Sequence, residues 1–288
     1  TRTMGYSSSL VAMKIPSEKL DQGAAIVNEH PGVTHNYARN HDYNLWLTIG
    51  LPPGVSLEQT IERLGELAGA EKVRPLPTLR LFKIGVQLDV ANENNPAKAA
   101  PKGPNWSWKE APEPVQLTSD DIQAVRCLQE NLPLELEPFD TIAKKWDLTA
   151  EQLFEFAGKF KEKRMIRRYS AVLHHRSAGF VVNGMGVWAV PDERLEELGP
   201  LMGSFRGVSH CYQRPTYEDW PYSVFTMVHG RNGSEVKEMI QAISEKTGIK
   251  EYTILYSTKE YKKTRLQYFT PELDQWAARY ATSKSKQS

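Results

Sequence analysis

The chain has 288 residues, 25% of them charged, and a formal net charge of +1. This length suffices for two domains with separate cores, and the balanced charge argues against a protein that binds nucleic acid through a basic surface. The sequence has no apolar run of the roughly 18–20 residues needed to span a bilayer and no signal-peptide pattern. Cys127 and Cys211 lie far apart, without the spacing of metal ligands, which indicates free thiols. We therefore expect a cytoplasmic protein.

The first part of the chain predicts alternating strands and helices. Period-two and period-3.6 patterns place strands at 6–14, 33–38, 43–50 and 79–86, and helices at 17–29 and 56–69. The order β-α-β-β-α-β is that of a ferredoxin-like domain. Its sheet has helices on one face, so the other face is available to a ligand or a partner.

A proline-rich linker and a helical segment follow. Residues 91–117 contain repeated prolines among Asn and Ala, which predicts a stiff, extended linker. Thr118 and Ser119 begin a helix, and further helices are predicted at 138–146 and 149–162, before a strand at 165–173. Three helices and a strand are typical of a winged helix-turn-helix. We expect a matching head before the first copy, upstream of Thr1.

The last part of the chain repeats the first. PGVTHNYARNHDYNLWLTI (31–49) matches RGVSHCYQRPTYEDWPYSVFTMV (206–228), and Pro16 aligns with Pro191. Fixed-period similarity of this length indicates an internal duplication. The second copy predicts elements at 180–190, 192–204, 207–214, 221–228, 234–247 and 252–256.

The sequence therefore predicts an α+β fold with two ferredoxin-like domains in tandem, the second preceded by a winged helix-turn-helix head. The predicted boundaries are 1–90 for the first ferredoxin-like domain, 91–117 for the linker, 118–175 for the helix-turn-helix, 176–270 for the second ferredoxin-like domain, and 271–288 for a C-terminal helix and tail. The two sheets could pack face to face and enclose a cleft.

One strand in each copy carries polar chemistry. His35, Tyr37 and Arg39 are spaced by two, as are their counterparts His210, Tyr212 and Arg214, so each trio shares one face of a strand. A lone His or Tyr on a strand is more often structural. A histidine, a phenol and a guanidinium on one face do not make an apolar core, so the trios favour a ligand site.

The motifs resemble those of two related families. The helical head and the ferredoxin-like body over 118–260 resemble the Lrp/AsnC transcription regulators. HNYARNHDYNLW (35–46), LRLFKIGVQLD (79–89), RRYSAVLHHRSAGF (167–180), HCYQRPTYEDWPY (210–222) and LYSTKEYKKTRLQYF (255–269) resemble the siroheme decarboxylases, enzymes related to those regulators. This second resemblance implies conversion of siroheme to 12,18-didecarboxysiroheme, with two acetate carboxyls released as CO2 and no added cofactor, since the iron belongs to the substrate. It also implies a role in heme d1 or alternative heme b synthesis.

The resemblance and the residue chemistry together predict a set of site residues. The candidate catalytic residues are histidines, acting as proton donors or as axial ligands of the substrate iron: His35, His41, His174 and His210. The candidate substrate-binding residues supply cations for carboxylates or aromatic walls for a flat macrocycle: Tyr37, Arg39, Trp46, Lys83, Arg167, Arg168, Tyr212, Arg214, Trp220 and Arg265, with Lys262 and Lys263 as further candidates. His229 is expected at the end of a strand, where stabilising the following turn is at least as favoured as a site role, and His30 is expected at the surface.

Two other functions compete with decarboxylation. A DNA-binding regulator sensing heme or an amino acid would read DNA with the third helix of the head, but that helix carries Glu151 and Glu155 in its leading half, which is unfavourable near phosphates. A tetrapyrrole carrier without catalysis is the third reading. The resemblance implies a family that usually pairs two related polypeptides, which this chain resembles fused into one. The expected partner molecules are siroheme, a second copy of the fused chain or the pseudo-heterodimer within it, and other heme d1 pathway proteins, with neither DNA nor membrane. The number of active clefts stays open.

Overall fold

The computed structural model describes residues 2–85, 113–166, 169 and 182–280. The first copy contains β1 (Ser7–Lys14), α1 (Leu20–Asn28), β2 (Val33–Arg39), β3 (Leu45–Leu51), α2 (Leu57–Ala68), β4 (Lys72–Pro77) and β5 (Arg80–Ile84). Local chemistry sets these limits. In α2, for example, the Ser56 hydroxyl accepts the Gln59 backbone N–H and Gly69 ends the helix at φ 70°, a conformation that glycine adopts without a Cβ penalty.

The helical head contains α3 (Ser119–Leu128), α4 (Pro138–Lys145) and α5 (Ala150–Glu162). Thr118 and Thr149 each accept a backbone N–H of the helix that follows, and Asp121 and Gln152 complete the two capping boxes. The three predicted helices are thus confirmed within one or two residues. Most of the strand predicted at 165–173 lies outside the described residues.

The second copy contains β6 (Val182–Trp188), α6 (Leu195–Ser204), β7 (Val208–Gln213), β8 (Val224–Gly230), α7 (Gly233–Thr247) and β9 (Tyr252–Lys263), and α8 (Glu272–Tyr280) follows. Its β-α-β-β-α-β order is the one predicted. None of the helices in the described part of the chain is both long and apolar enough to cross a membrane.

The two copies exchange their last strands. The strand order is β4-β1-β3-β2-β9-β6-β8-β7-β5. The first half of β9 pairs with β6 of its own copy and the second half with β2 of the first copy, while β5 leaves the first copy to pair with β7. β4 and β5 are at the two ends of this strand order and are consecutive in the chain. The two edges of the sheet therefore come together at this connection, and the strands surround an interior.

This exchange corrects two predicted strands. The segment predicted at 79–86 as the last strand of copy one is β5, which belongs to the other copy's sheet, and the strand that completes copy one is β4. Pro75 and Pro77 in β4 weakened its strand signal, and β4 tolerates them because it pairs on one side, with β1. The strand predicted at 252–256 continues to Lys263.

Hydrophobic clusters fill three layers of this body. One cluster packs α1 and α2 against the first copy's strands, and another packs α6 and α7 against the second copy's. A third lies between the copies and includes Trp46, Leu76, Trp220, Phe225 and Leu255. This third cluster packs the strands of the two copies against each other.

Two lysines on the exchanged strands tie each copy to a helix of the other. Lys83 on β5 donates to the carbonyl of Phe205 just after α6, at 2.7 Å, and Lys262 on β9 donates to the carbonyls of Asn28 and His30 at the end of α1, at 2.8 and 3.1 Å. A cation at a helix C-terminus satisfies carbonyls that have no intrahelical partner and is favoured by the helix dipole. The contact is reciprocal because the copies are related by the same exchange.

Asp219 makes a further contact between the copies. Its carboxylate accepts from the Tyr43 hydroxyl at 2.8 Å, from Lys72 Nζ at 2.9 Å, and from Arg74 Nε and Nη2 at 2.9 and 2.8 Å. The hydrogen bonds from Arg74 and Lys72 hold the pKa of this carboxyl well below its usual range. Asp219 therefore anchors the β7–β8 loop to the first copy.

Candidate active site

A cavity of about 630 Å³ lies between the strands of the two copies. Its walls come from equivalent positions in both halves, including Ser8 and Asn183, Leu10 and Met185, Trp46 and Phe225, Thr48 and Met227, together with residues 257–260 and Lys263 of β9. Its volume is in the range of small-molecule and cofactor sites.

Both predicted trios line this one cavity. His35, Tyr37 and Arg39 reach it from β2, and their counterparts His210, Tyr212 and Arg214 reach it from β7. The period-two argument therefore placed each trio on the correct face of its strand. In the described part of the chain the copies share one cavity, so the trios do not form separate clefts.

Arg39 and Arg214 occupy matching environments. Nη1 of Arg39 donates to the Leu255 carbonyl at 3.0 Å, and Nη1 of Arg214 donates to the Leu76 carbonyl. The Arg39 guanidinium lies 5.9 Å from the centre of the Tyr37 ring and 5.8 Å from Trp46; that of Arg214 lies 4.9 Å from Tyr212 and 5.4 Å from Phe225. Each arginine thus binds a backbone carbonyl of the opposite copy and contacts two aromatic rings.

The two guanidinium charges are not neutralised by the described residues. Both side chains are buried, their Nε atoms have no hydrogen-bond partner in the described part of the chain, and neither forms an ion pair there. Burial lowers the pKa of Arg39 and of Arg214 to about 10, so both stay charged at neutral pH. A buried cation without a counter-ion is costly, and an anionic ligand would remove that cost.

His35 lies in the first copy's half of the cavity. Its Nδ1 is 3.0 Å from the Thr34 hydroxyl, and its ring centre is 6.2 Å from that of Tyr37. Burial lowers the pKa of His35, and the nearby Lys263 charge lowers it further, while Glu260 acts in the opposite direction. His35 is therefore held mainly neutral near pH 7.

His210 begins a longer chain of polar contacts in the second copy. Its Nδ1 is 2.8 Å from the Ser209 hydroxyl, which is 2.7 Å from Nε2 of His229, and Nδ1 of His229 is 2.7 Å from Oδ1 of Asn183. His229 lies next to the last residue of β8, in line with its predicted place at a strand end, and it lines the cavity together with Asn183. Asn183 pairs with His229 in the β6–β8 register, which no local motif reveals.

His41 and Trp220, two predicted site residues, are not among the residues that line this cavity. β2 ends at Arg39, so its alternation does not extend to His41. Nδ1 of His41 accepts the Tyr43 backbone N–H at 3.0 Å, and its ring packs edge-on against Trp220. Trp220 is fully buried in the cluster between the copies. Both are structural, whereas the predicted Trp46 does line the cavity.

Lys83, Lys262 and Arg265 also lie outside the cavity. A register shift between Leu81 and Lys83 breaks the alternation of β5, and Lys83 is buried on the helix side, where its partly buried counterpart Lys262 also makes its contacts. Arg265 follows the end of β9 and donates to the Gln129 carbonyl and to Asn131 Oδ1 in the head, the latter at 2.9 Å. Lys263, by contrast, lines the cavity. His174, Arg167 and Arg168 lie outside the described residues.

His30 is fully buried, which corrects its predicted surface position. Its Nδ1 accepts the Gly32 backbone N–H at 3.0 Å and its ring packs against Trp276 at 4.3 Å. Burial lowers the pKa of His30 to about 4. It stabilises the turn that enters β2 and lies on the helix side of the sheet.

The head does not present a basic face to DNA through α5. Glu151 and Glu155 are exposed in its leading half, and Lys159 is bound to Asp121 at 2.5 Å. These contacts disfavour the regulator reading, since affinity for duplex DNA comes largely from neutralised phosphates.

The fold and the shared cavity define a tandem AsnC-type ligand-binding protein. The family model for the AsnC-like ligand binding domain matches residues 3–83 and 177–262, and the model for the siroheme decarboxylase NirDL-like helix-turn-helix domain matches residues 121–167. The siroheme decarboxylase of Hydrogenobacter thermophilus is 39% identical over 96% of this chain and 80% of its own length. The chain therefore belongs to the siroheme decarboxylase family, whose members are carboxy-lyases.

Other relatives agree with this family. The siroheme decarboxylase NirDL subunit of Paracoccus denitrificans is 28% identical over 89% of this chain and 77% of its own. The siroheme decarboxylase beta subunit of Methanosarcina barkeri is 38% identical over 50% of this chain and 95% of its own. A crystal structure of the siroheme decarboxylase NirDL superposes with a TM-score of 0.74 at 35% identity, covering 98% of this chain and 80% of that one. A co-complex of NirDL with an iron-uroporphyrin III analogue gives a TM-score of 0.74 at 34% identity, covering 97% and 80%.

Proposed function

We propose that this chain removes the carboxyl groups of two acetate side chains of siroheme as CO2 and yields 12,18-didecarboxysiroheme. The observation that carries the proposal is the pair of buried arginines, Arg39 and Arg214, which share one cavity with His35 and His210 and have no carboxylate partner among the described residues. A polycarboxylate is the ligand that such a cavity would stabilise.

Binding would use the cations and the aromatic rings of both halves. Arg39 and Arg214 would hold carboxylates, because a guanidinium can donate two parallel hydrogen bonds to one carboxylate. Lys263 adds a further cation at the wall. Tyr37, Trp46 and Tyr212 provide aromatic surface against which a flat macrocycle can lie.

The chemistry would use the histidines for proton transfer. Each reaction converts R–CH2–COO⁻ and H⁺ to R–CH3 and CO2: the C–C bond breaks, its electron pair stays on the methylene carbon, and a proton forms the new C–H bond. Histidine is suited to give that proton near neutral pH. We propose that no added cofactor takes part and that the iron belongs to the substrate, where His35 or His210 could also be its axial ligand.

The paired copies bear on how the chain assembles, and its two cysteines bear on the compartment in which it works. The exchanged strands join the two copies in the way that two subunits would pair, so we propose that the chain works either as a pseudo-heterodimer within itself or as a homodimer with a second copy of the chain. Cys127 and Cys211 are both buried free thiols, which supports a reducing cytoplasm. We propose a role in heme d1 synthesis, with heme b synthesis as the other destination of the product.

The test is an anaerobic incubation of the purified chain with siroheme, followed by mass spectrometry of the tetrapyrrole. We expect a product lighter by two CO2. In His35→Ala and in His210→Ala we expect turnover to fall while siroheme still binds in a spectral titration, and the fall should reach about 10²–10⁴ for the histidine that gives the proton. An unchanged mass despite binding would identify a carrier and contradict the proposal.

A further inference from the structure

Three polar side chains of the second copy form a series of contacts that begins at His210 and ends at two residues of the cavity wall, His229 and Asn183. Contacts of 2.8, 2.7 and 2.7 Å run in series from His210 through Ser209 and His229 to Asn183. All three contacts are within hydrogen-bonding distance. His229 has a partner at each ring nitrogen, and the Ser209 hydroxyl between the two histidines can both donate and accept a hydrogen bond. A proton can therefore pass between the two histidines through the serine hydroxyl.

Within its described residues, 2–85, the first copy does not contain this series. In the β1–β3 register Ser8 pairs with Gly50, where the β6–β8 register pairs Asn183 with His229. The hydroxyl next to the cavity histidine is retained, as Thr34 beside His35 at 3.0 Å. Both copies also have a register shift just before that histidine. The geometry around the histidine is thus shared, and the second histidine is peculiar to copy two.

We propose that His229 is a proton-relay residue that supplies, through Ser209, the proton which His210 gives to the substrate carbon. This inference rests on the proposed decarboxylation and goes beyond it by assigning the proton delivery to copy two. His35 would then serve binding or iron ligation. Nδ1 of His210 contacts Ser209, so in this proposal Nε2 is the nitrogen that gives the proton to the substrate.

The proton transfer balances as follows. CO2 leaves, and the electron pair of the broken C–C bond forms a C–H bond with the proton from Nε2 of His210. Nδ1 of His210 takes the hydroxyl proton of Ser209, and Ser209 takes the Nε2 proton of a cationic His229. His229 becomes neutral and keeps its Nδ1–H on Asn183 Oδ1. It is half-buried in the cavity wall and regains a proton from water before the second CO2 leaves.

The test compares His229→Gly, which installs the residue found at position 50 of copy one, with His229→Gln, which keeps more of the side-chain volume. Single-turnover decarboxylation should slow at least tenfold in both, up to the roughly 10²–10⁴ that general acid–base catalysis contributes, while siroheme affinity stays within twofold. Added imidazole should restore the rate of His229→Gly. Pyrazole, which has the same shape and is not protonated near neutral pH, should not.

Ser209 gives a second, independent measurement. Ser209→Ala interrupts the series and should slow turnover as much as His229→Gln, whereas Ser209→Thr, the residue of copy one, should restore most of the loss. Thermal unfolding of each variant identifies any that fail to fold.

The relay and the decarboxylation can fail separately. If the unmodified chain releases two CO2 but His229→Gly and His229→Gln keep its rate, or if pyrazole restores the rate of His229→Gly as well as imidazole does, the relay is wrong and the decarboxylation stands. If the unmodified chain releases no CO2, both proposals are overturned.

Discussion

The two halves of the cavity are alike where they carry positive charge and different where they carry histidine. Arg39 and Arg214 bind equivalent carbonyls and each lies over two aromatic rings. His35 contacts Thr34 and lies near Lys263, whereas His210 is connected through Ser209 to His229 and Asn183.

This difference separates two requirements of the proposed reaction. A macrocycle with carboxylates around its rim needs cations on both sides, which favours keeping the arginine pair. Proton delivery needs one ordered donor path, which copy two provides through His210, so His35 is free to take another role. Duplication thus permits one chain to retain a symmetric binding frame and an asymmetric proton source.

Of the effects predicted from this comparison, the largest is on siroheme binding by the two equivalent arginines, Arg39 and Arg214. Arg39→Lys and Arg214→Lys each keep a charge but lose the planar pair of donors, and each should weaken siroheme binding by about 10–100-fold, equivalent to the roughly 1.5–3 kcal/mol of a charge-assisted hydrogen bond. A spectral titration measures the dissociation constants. Because the environments match, the two losses should agree within about threefold.

Unequal losses would contradict the symmetric frame. The matched control is Arg74→Lys, since Arg74 is a cation bound to Asp219 between the copies and does not line the cavity. Its siroheme affinity should match that of the parent. A thermal scan of each arginine variant separates lost binding from lost folding.

A second comparison concerns the turn before each central strand, where His30 in copy one corresponds to Phe205 in copy two. Burial lowers the pKa of His30 from 6.5 to about 4, so between these values the unfolded chain takes up a proton that the folded chain does not. The free energy of unfolding should therefore fall as pH drops from 6.5 towards 4, by at most about 3 kcal/mol, and be flat with respect to this group above pH 6.5.

The measurement is urea unfolding at several pH values between 4 and 8. His30→Phe, which installs the copy-two residue, should remove this part of the pH dependence, and His30→Gln serves as the polar control. A slope between pH 4 and 6.5 that is unchanged in both variants would show that other groups cause it.

The strands and the trios could be predicted because they depend on local periodicity. Alternation at spacing two is enough to place His35, Tyr37 and Arg39 on one face, and the duplication doubles the signal for His210, Tyr212 and Arg214. His41 and Lys83 are predicted from their chemistry and not by this rule, and neither lines the cavity: His41 lies beyond the end of β2, and Lys83 follows a register shift in β5.

The exchange of strands and the histidine series could not be predicted in this way. A strand's pattern does not say which neighbour it pairs with, so β5 could not be assigned to the second copy. Asn183 and His229 are far apart in sequence and meet through the register of β6 on β8. Register is fixed by burial over the whole sheet, and that information is not contained in either strand alone.

The smallest expected effect distinguishes the two reciprocal lysines. Lys83 is 2% exposed and donates to the Phe205 carbonyl, so Lys83→Met should leave a buried acceptor unsatisfied and cost about 1–3 kcal/mol. That corresponds to a fall in the thermal midpoint of about 2–6 °C at roughly 2 °C per kcal/mol for a chain of this size.

Lys262 is only partly buried, and water can replace its hydrogen bonds to Asn28 and His30, so Lys262→Met should cost about 1 kcal/mol or less. Circular dichroism melts of both variants and of the double variant measure these costs. Equal losses would mean that the two exchanged strands are equally shielded from water, contrary to the asymmetry that runs through the rest of the molecule.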